Sequence, residues 1–294
     1  METKEVLKKV KRIEIKTRGL VNSLFSGEYH TIFKGRGMSF AEVREYQFGD
    51  EIRFIDWNVS ARMDRPYVKQ FEEEREQTLM VLFDASGSSR FGTEQSTKLD
   101  TMIEMSALVA FSAIKNNDKV GLLIFTDRVE KFIPPKKGKG HVLRLIRELL
   151  MFKPVHSQTR ISEALEYTLH VLRRRSIVFL MSDFIDRDFH RPLRTLARKH
   201  DLIAIKMFDR MEREVPAVGL VLFEDKESGR ILEVDTADEQ TRILLRQRLA
   251  TRGNELKQLF RQNRIDLIEI QTGMDYVEAF TRFFRKRERR LARG

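Results

Sequence analysis

From residue 77 to the end of the chain, short apolar runs alternate with longer segments of helical period, and this alternation constrains the fold more than any other feature. TLMVLF at 78–83 and SIVFLM at 176–181 are almost wholly apolar over strand length, as expected of strands sealed on both faces. KVGLLIFTD, DLIAIKMFD and IDLIEIQT read as further strands, and VEKFIPP as a short edge piece. Between them, residues 97–116, GHVLRLIRELLM, TRISEALEYTLHVLRRR, FHRPLRTLARKH, residues 237–263 and DYVEAFTRFFRKRERR carry helical period. VGLVLFEDKESGRILEVD predicts a hairpin turning at Ser228–Gly229. The sum is an α/β fold, a doubly wound, mainly parallel sheet.

The first 75 residues have another texture. Residues 2–25 predict an amphipathic helix, and Gly27 to Gly37 reads as loop. Residues 38–75 are dense in charge and aromatics and do not resemble a strand-rich core; Trp57, the only tryptophan, is expected to anchor this segment. The chain thus divides into residues 1–75, a helix and a lead-in segment, and residues 76–294, an α/β domain with a hairpin insertion at about 209–236 and a basic C-terminal helix.

Composition removes several classes. There is no cysteine, which excludes disulfides, Cys-ligated zinc, iron–sulfur clusters and a thiol nucleophile, and fits a reducing cytoplasm. No run approaches the ~20 apolar residues of a membrane-spanning helix, and the basic N-terminus does not read as a signal peptide. A cytoplasmic location is the expectation. The net charge of +11 sits at the ends: +4 in residues 1–20, +6 in residues 282–294 and +1 between. The basic tail suits nucleic acid, anionic lipid or an acidic partner, or a solvated helix end complementing its dipole.

One constellation carries chemistry. TLMVLF runs into Asp84-x-Ser86-x-Ser88, and SIVFLM into Ser182-Asp183. Strand C-termini in a parallel sheet share one edge, and the helix beginning near Thr159 returns its N-terminus to it. Asp84, Ser86, Ser88, Thr159 and Asp183 are therefore expected around one point, at the edge where open α/β sheets bind ligands. Hydroxyls and carboxylates are hard oxygen donors, which suit Mg²⁺ or Mn²⁺. The plainer alternative is that the serines, Asp84 and Thr159 cap turns and helices.

These residues resemble the metal-ion-dependent adhesion site of von Willebrand factor type A domains. Gly35-Arg-Gly37, Phe40, Arg44-x-Tyr46, Gly49-Asp50, Arg53-x-Ile-Asp56-Trp57, Ala61-Arg62, Tyr67-Val-Lys69 and EEERE at 72–76 resemble the signature of the domain of unknown function 58 family. The resemblance implies a type A domain with a lead-in segment, a metal site and partnership with MoxR-type AAA+ ATPases. The protein would then be a non-catalytic adaptor in assembly or maturation of complexes, with a partner carboxylate at the metal. Two departures stand beside the site: the loop before Thr159 reads VHSQT instead of a glycine pair, and the cationic Arg160 follows it. The alternatives are a Mg²⁺-dependent phosphoryl-transfer enzyme using Asp84 and a basic nucleic-acid-associated protein. No P-loop, nucleophile-elbow or metalloprotease spacing is found.

Overall fold

A computed structural model describes residues 3–24, 39–72, 76–90, 97–186, 188–210, 217–224 and 231–291. Two compact units divide the chain: residues 33–77, and the remainder.

The larger unit is built on a six-stranded sheet. Its strands are β3 (Thr78–Asp84), β4 (Lys119–Phe125), β5 (Val129–Lys136), β6 (Ile177–Ser182), β7 (Asp201–Phe208) and β10 (Asp266–Gln271), in the order β10-β7-β6-β3-β4-β5. All neighbours are parallel except β5, which returns antiparallel to β4 at the edge. Every residue of β6, and of β3 after Thr78, is buried, which is why both runs lack polar alternation.

The helices of this unit are α1 (Thr3–Leu24), α3 (Lys98–Lys115), α4 (Lys139–Met151), α5 (Ile161–Val171), α6 (His190–Lys199), α7 (Glu239–Gln262) and α8 (Tyr276–Leu291). Thr97 caps α3 in a reciprocal box with Asp100, fixing where the helix begins. α1, grouped with the lead-in by its place in the sequence, lies against α3 and α4. Its Val6, Val10, Ile13, Thr17 and Val21 recur at three- and four-residue spacing and are buried.

The basic C-terminal helix is part of the core. Tyr276, Phe280, Phe283 and Phe284 of α8 are buried, and Arg287 is nearly so, paired with Asp201 and, at 3.0 Å, with Asp266. Arg290 grips Asp266 through two bonds of 2.9 and 2.8 Å. Part of the terminal charge is therefore spent at the starts of β7 and β10. The insertion is an antiparallel ribbon of β8 (Leu220–Glu224) and β9 (Ile231–Asp235); its expected turn at Ser228–Gly229 lies outside the described residues.

The smaller unit pairs β1 (Ser39–Glu45) with β2 (Tyr67–Glu72) around α2 (Trp57–Met63), so the stretch read as strand-poor contains one antiparallel ribbon. Asp56 caps α2 by accepting from the N–H groups of Asn58 and Val59, and Lys69 lies 3.4 Å from its carboxylate. Arg44 holds Asp50 through two bonds of 2.8 and 2.7 Å. Trp57 is not the expected anchor: it is 68% exposed, while Val68 is buried. Trp57 opens a seven-residue helix with no buried residues, and none of the described residues of this unit covers it.

Two features make the energetics testable. A Cβ on Gly121, in mid-β4, would stand 2.8 Å from Met80 Cε, 2.9 Å from Pro135 Cγ and 3.1 Å from the Ile133 carbonyl. Gly121→Ala should lower unfolding stability by about 1–3 kcal/mol through overpacking. Gly140→Ala, in α4 with open space around it, should be neutral or gain up to about 1 kcal/mol; denaturant midpoints decide.

The second is His200, buried at the α6–β7 corner, whose Nδ1 accepts from the Ser176 N–H at 3.2 Å. Burial, then the Lys199 and Arg175 charges, pull its pKa down from 6.5 to about 4. As pH falls, the unfolded chain takes up this proton first, so stability is lost between pH 6.5 and about 4. The expected loss is at most about 3 kcal/mol, and His200→Asn should remove that part of the pH slope in denaturant titrations.

Candidate functional site

The sheet changes winding direction between β3 and β6, and ligands of open α/β sheets bind at such a point, outside the strand C-termini. Asp84 ends β3, and Asp183 follows β6 directly.

Beyond β3 the chain is steered by its own polar groups. The Ser86 N–H donates to Asp84 Oδ1 at 3.0 Å, turning the backbone into a short 3-10 turn, Gly87–Arg90. Ser86 Oγ and Ser88 Oγ are then 3.1 Å apart. Ser182 Oγ–H donates to Asp84 Oδ2 at 2.6 Å and accepts from the Phe184 N–H at 2.9 Å. Burial first, then the Asp183 charge, push the Asp84 carboxyl up to about 7, against the hydrogen bonds from Ser182 and Ser86.

Asp183 is held from both sides. Its Oδ1 accepts from the Ile185 N–H at 3.2 Å, and Phe184 between them adopts φ +59°, a left-handed conformation unusual for a bulky residue. Edge-on packing of Phe184 against Phe260, with Phe189 alongside, locks that turn. On the other side, Lys98 Nζ lies 3.3 Å from Asp183 Oδ2, and both side chains are buried.

The loop before α5 is tied to the same edge. Its Ser157 carbonyl accepts from the Gly87 N–H at 2.7 Å, and the Arg160 N–H donates to the Thr126 carbonyl just beyond β4 at 3.0 Å. Glu130 secures the loop further, accepting from the N–H groups of Val155 and His156 and from Thr126 Oγ1. Half-buried Thr159 stands between these tethers. It does not cap α5: Arg160 occupies the cap position, and Asp186 from the loop after β6 accepts the Ile161 N–H at 2.7 Å.

Hydrogen bonds thus join Asp84, Ser86, Ser88 and Ser182, and Asp183 follows Ser182 directly. Thr159 comes to the same edge through its neighbours' backbone. Ser182, Asp186, Glu130 and Lys98 were absent from the sequence-derived set. A signal existed for Lys98, the first residue of α3, because a helix N-terminus disfavours a cation. Arg160 is exposed and pairs with Glu163 at 3.6 Å; the cation against Asp183 is Lys98.

The donors fit a Mg²⁺-type ion in kind and partly in spacing. The 3.1 Å hydroxyl separation is close to the roughly 3 Å between neighbouring ligands of an octahedral ion with bonds of about 2.1 Å. Among the described residues no cluster of three or more His, Cys, Asp or Glu residues is placed to hold a metal, so hydroxyls would supply much of the coordination.

The family model for the protein of unknown function DUF58 matches residues 42–255. The chain belongs to the DUF58 family. An uncharacterised protein of Mycobacterium tuberculosis is 27% identical over 288 residues, covering 97% of this chain and 90% of that one. Among solved structures, the conserved hypothetical protein BatB from Bacteroides thetaiotaomicron matches with a TM-score of 0.50 at 12% identity, over 72% of this chain and 99% of that one. The type A domain of SpRpn10 matches with a TM-score of 0.39 at 12% identity, over 70% of this chain and 94% of that one. This DUF58 protein has an α/β fold like that of BatB, a mainly parallel six-stranded sheet flanked by helices. Among its described residues no helix is long and apolar enough to cross a membrane.

The capping assignment is testable. Asp186→Ala should cost about 1 kcal/mol of unfolding stability through loss of the α5 cap, and Asp186→Asn, which keeps an acceptor oxygen, should recover most of it.

Proposed function

We propose that this DUF58 protein is a non-catalytic adaptor that engages protein partners at the C-terminal edge of its sheet in a metal-dependent way. Family and fold suggest a protein-interaction role. The observation carrying the finer reading is the hydroxyl pair of Ser86 and Ser88 beside two buried carboxylates, at the point where the sheet reverses direction. Ser86, Ser88 and Thr159 would hold a Mg²⁺ or Mn²⁺ ion, with Asp84 and Asp183 as the anionic members. When bound, the ion would supply a Lewis-acidic position for a carboxylate from outside.

This chain's own residues do the positioning. Ser182 and the Ser86 N–H orient Asp84, the Phe184 turn orients Asp183, and Glu130 holds the loop of Thr159 against the 3-10 turn. Asp84 itself is fully buried with both carboxyl oxygens engaged, a poor disposition for a nucleophile that must reach a phosphate. The partner we propose is a MoxR-type AAA+ ATPase that offers an Asp or Glu side chain. The protein's small unit, held by the Arg44–Asp50 and Asp56–Lys69 pairs, would be scaffold or a second contact surface.

Binding of a MoxR-type ATPase from the same source should be retained in Mg²⁺ and lost in EDTA. Ser86→Ala plus Ser88→Ala should weaken it tenfold or more without unfolding the protein, since small hydroxyls at a sheet edge contribute little to the core. Undiminished binding by the double variant, measured by calorimetry, would sink metal-mediated adhesion.

A further inference from the structure

We infer that Lys98 is a resident cation that competes with the divalent ion for Asp183, keeping metal affinity of the free protein low and tying metal binding to the arrival of a partner carboxylate. This rests on the metal-dependent reading above and adds to it a control residue.

Lys98 and Asp84 are fully buried and Asp183 is buried, and the Lys98 Nζ stands 3.3 Å from Asp183 Oδ2. Buried charges persist only when paired, and removing one partner of such a pair is strongly destabilising. The position is also locally unfavourable: Lys98 is the first residue of α3, directly after the Thr97 cap, where unsatisfied N–H groups already make the helix end positive. The carboxylates of β3 and β6 are what make a lysine tolerable there.

The charge count gives the consequence. Two carboxylates alone would balance a divalent ion and leave it little attraction for a third. With the Lys98 ammonium present, the two carboxylates, both ionised when facing a metal, and the lysine sum to one negative charge, so a divalent ion leaves one positive charge in surplus. Inside a low-dielectric edge that surplus opposes metal entry, and an external carboxylate removes it. Metal and partner carboxylate then raise each other's affinity by the same factor, as linkage requires.

The test compares Mn²⁺ isotherms of wild type, Lys98→Gln and Lys98→Met, by calorimetry and by the rise in melting temperature with Mn²⁺. Lys98→Gln removes the charge while keeping an N–H donor for Asp183. It should bind Mn²⁺ at least tenfold more tightly than wild type and show the larger rise in melting temperature. Equal affinity in wild type and Lys98→Gln overturns the role of Lys98 and leaves the metal reading standing. No Mn²⁺ binding by either one at millimolar concentration overturns the metal reading itself, and this inference with it. If Lys98→Met is unfolded without metal, refolding on adding Mn²⁺ supports the competition, and failure to refold counts against it.

Discussion

The structure depends on the burial of its two central strands, complete but for Thr78. β3 and β6 lie side by side with residues sealed on both faces, so helices must cover both sides of the sheet and connections must cross over it. The strand ends are then where polar chemistry can stand next to the core. Because the strands are parallel, those ends fall on one edge, and the reversal between β3 and β6 opens a place there that neither crossover fills.

At that edge, buried charge is balanced piece by piece. Asp84 is met by a hydroxyl and a backbone N–H, Asp183 by a backbone N–H and the Lys98 ammonium. Each bond comes from a different element: β6, the turn after β3, the loop before α6 and the start of α3. The site therefore shares its supports with the packing of the sheet, and the strained turn at Phe184 is held by an aromatic cluster reaching α7.

Elsewhere, charge that looks adhesive in sequence is partly structural. Arg287 and Arg290 of the basic terminal helix bind Asp266, and Arg287 also binds Asp201, tying α8 to the starts of two strands. In the small unit, Arg44 and Asp56 serve a bidentate pair and a helix cap. A dense motif of charged residues can thus mark a fold held by polar pairs, which a segment too small for a large apolar core requires.

The sheet, its parallel character and the residues at its C-terminal edge were legible in the sequence, because buried parallel strands leave continuous apolar runs and a strand's last residue has its edge determined by direction alone. Asp84, Ser86, Ser88 and Asp183 follow from that rule. The cap of α5 by Asp186, the tether of the Thr159 loop by Glu130 and the Lys98–Asp183 pair were not legible, since each joins residues 25 to 85 positions apart with no periodic trace. The exposure of Trp57 was likewise beyond composition: whether an aromatic is covered depends on what surrounds it, and its own unit has too little core to cover it. Sequence determined which elements form and where their ends point, because those are local properties of pattern and direction. Which charge meets which was decided only in three dimensions, because a buried ion is balanced by whatever opposite group the packing brings within a few ångströms.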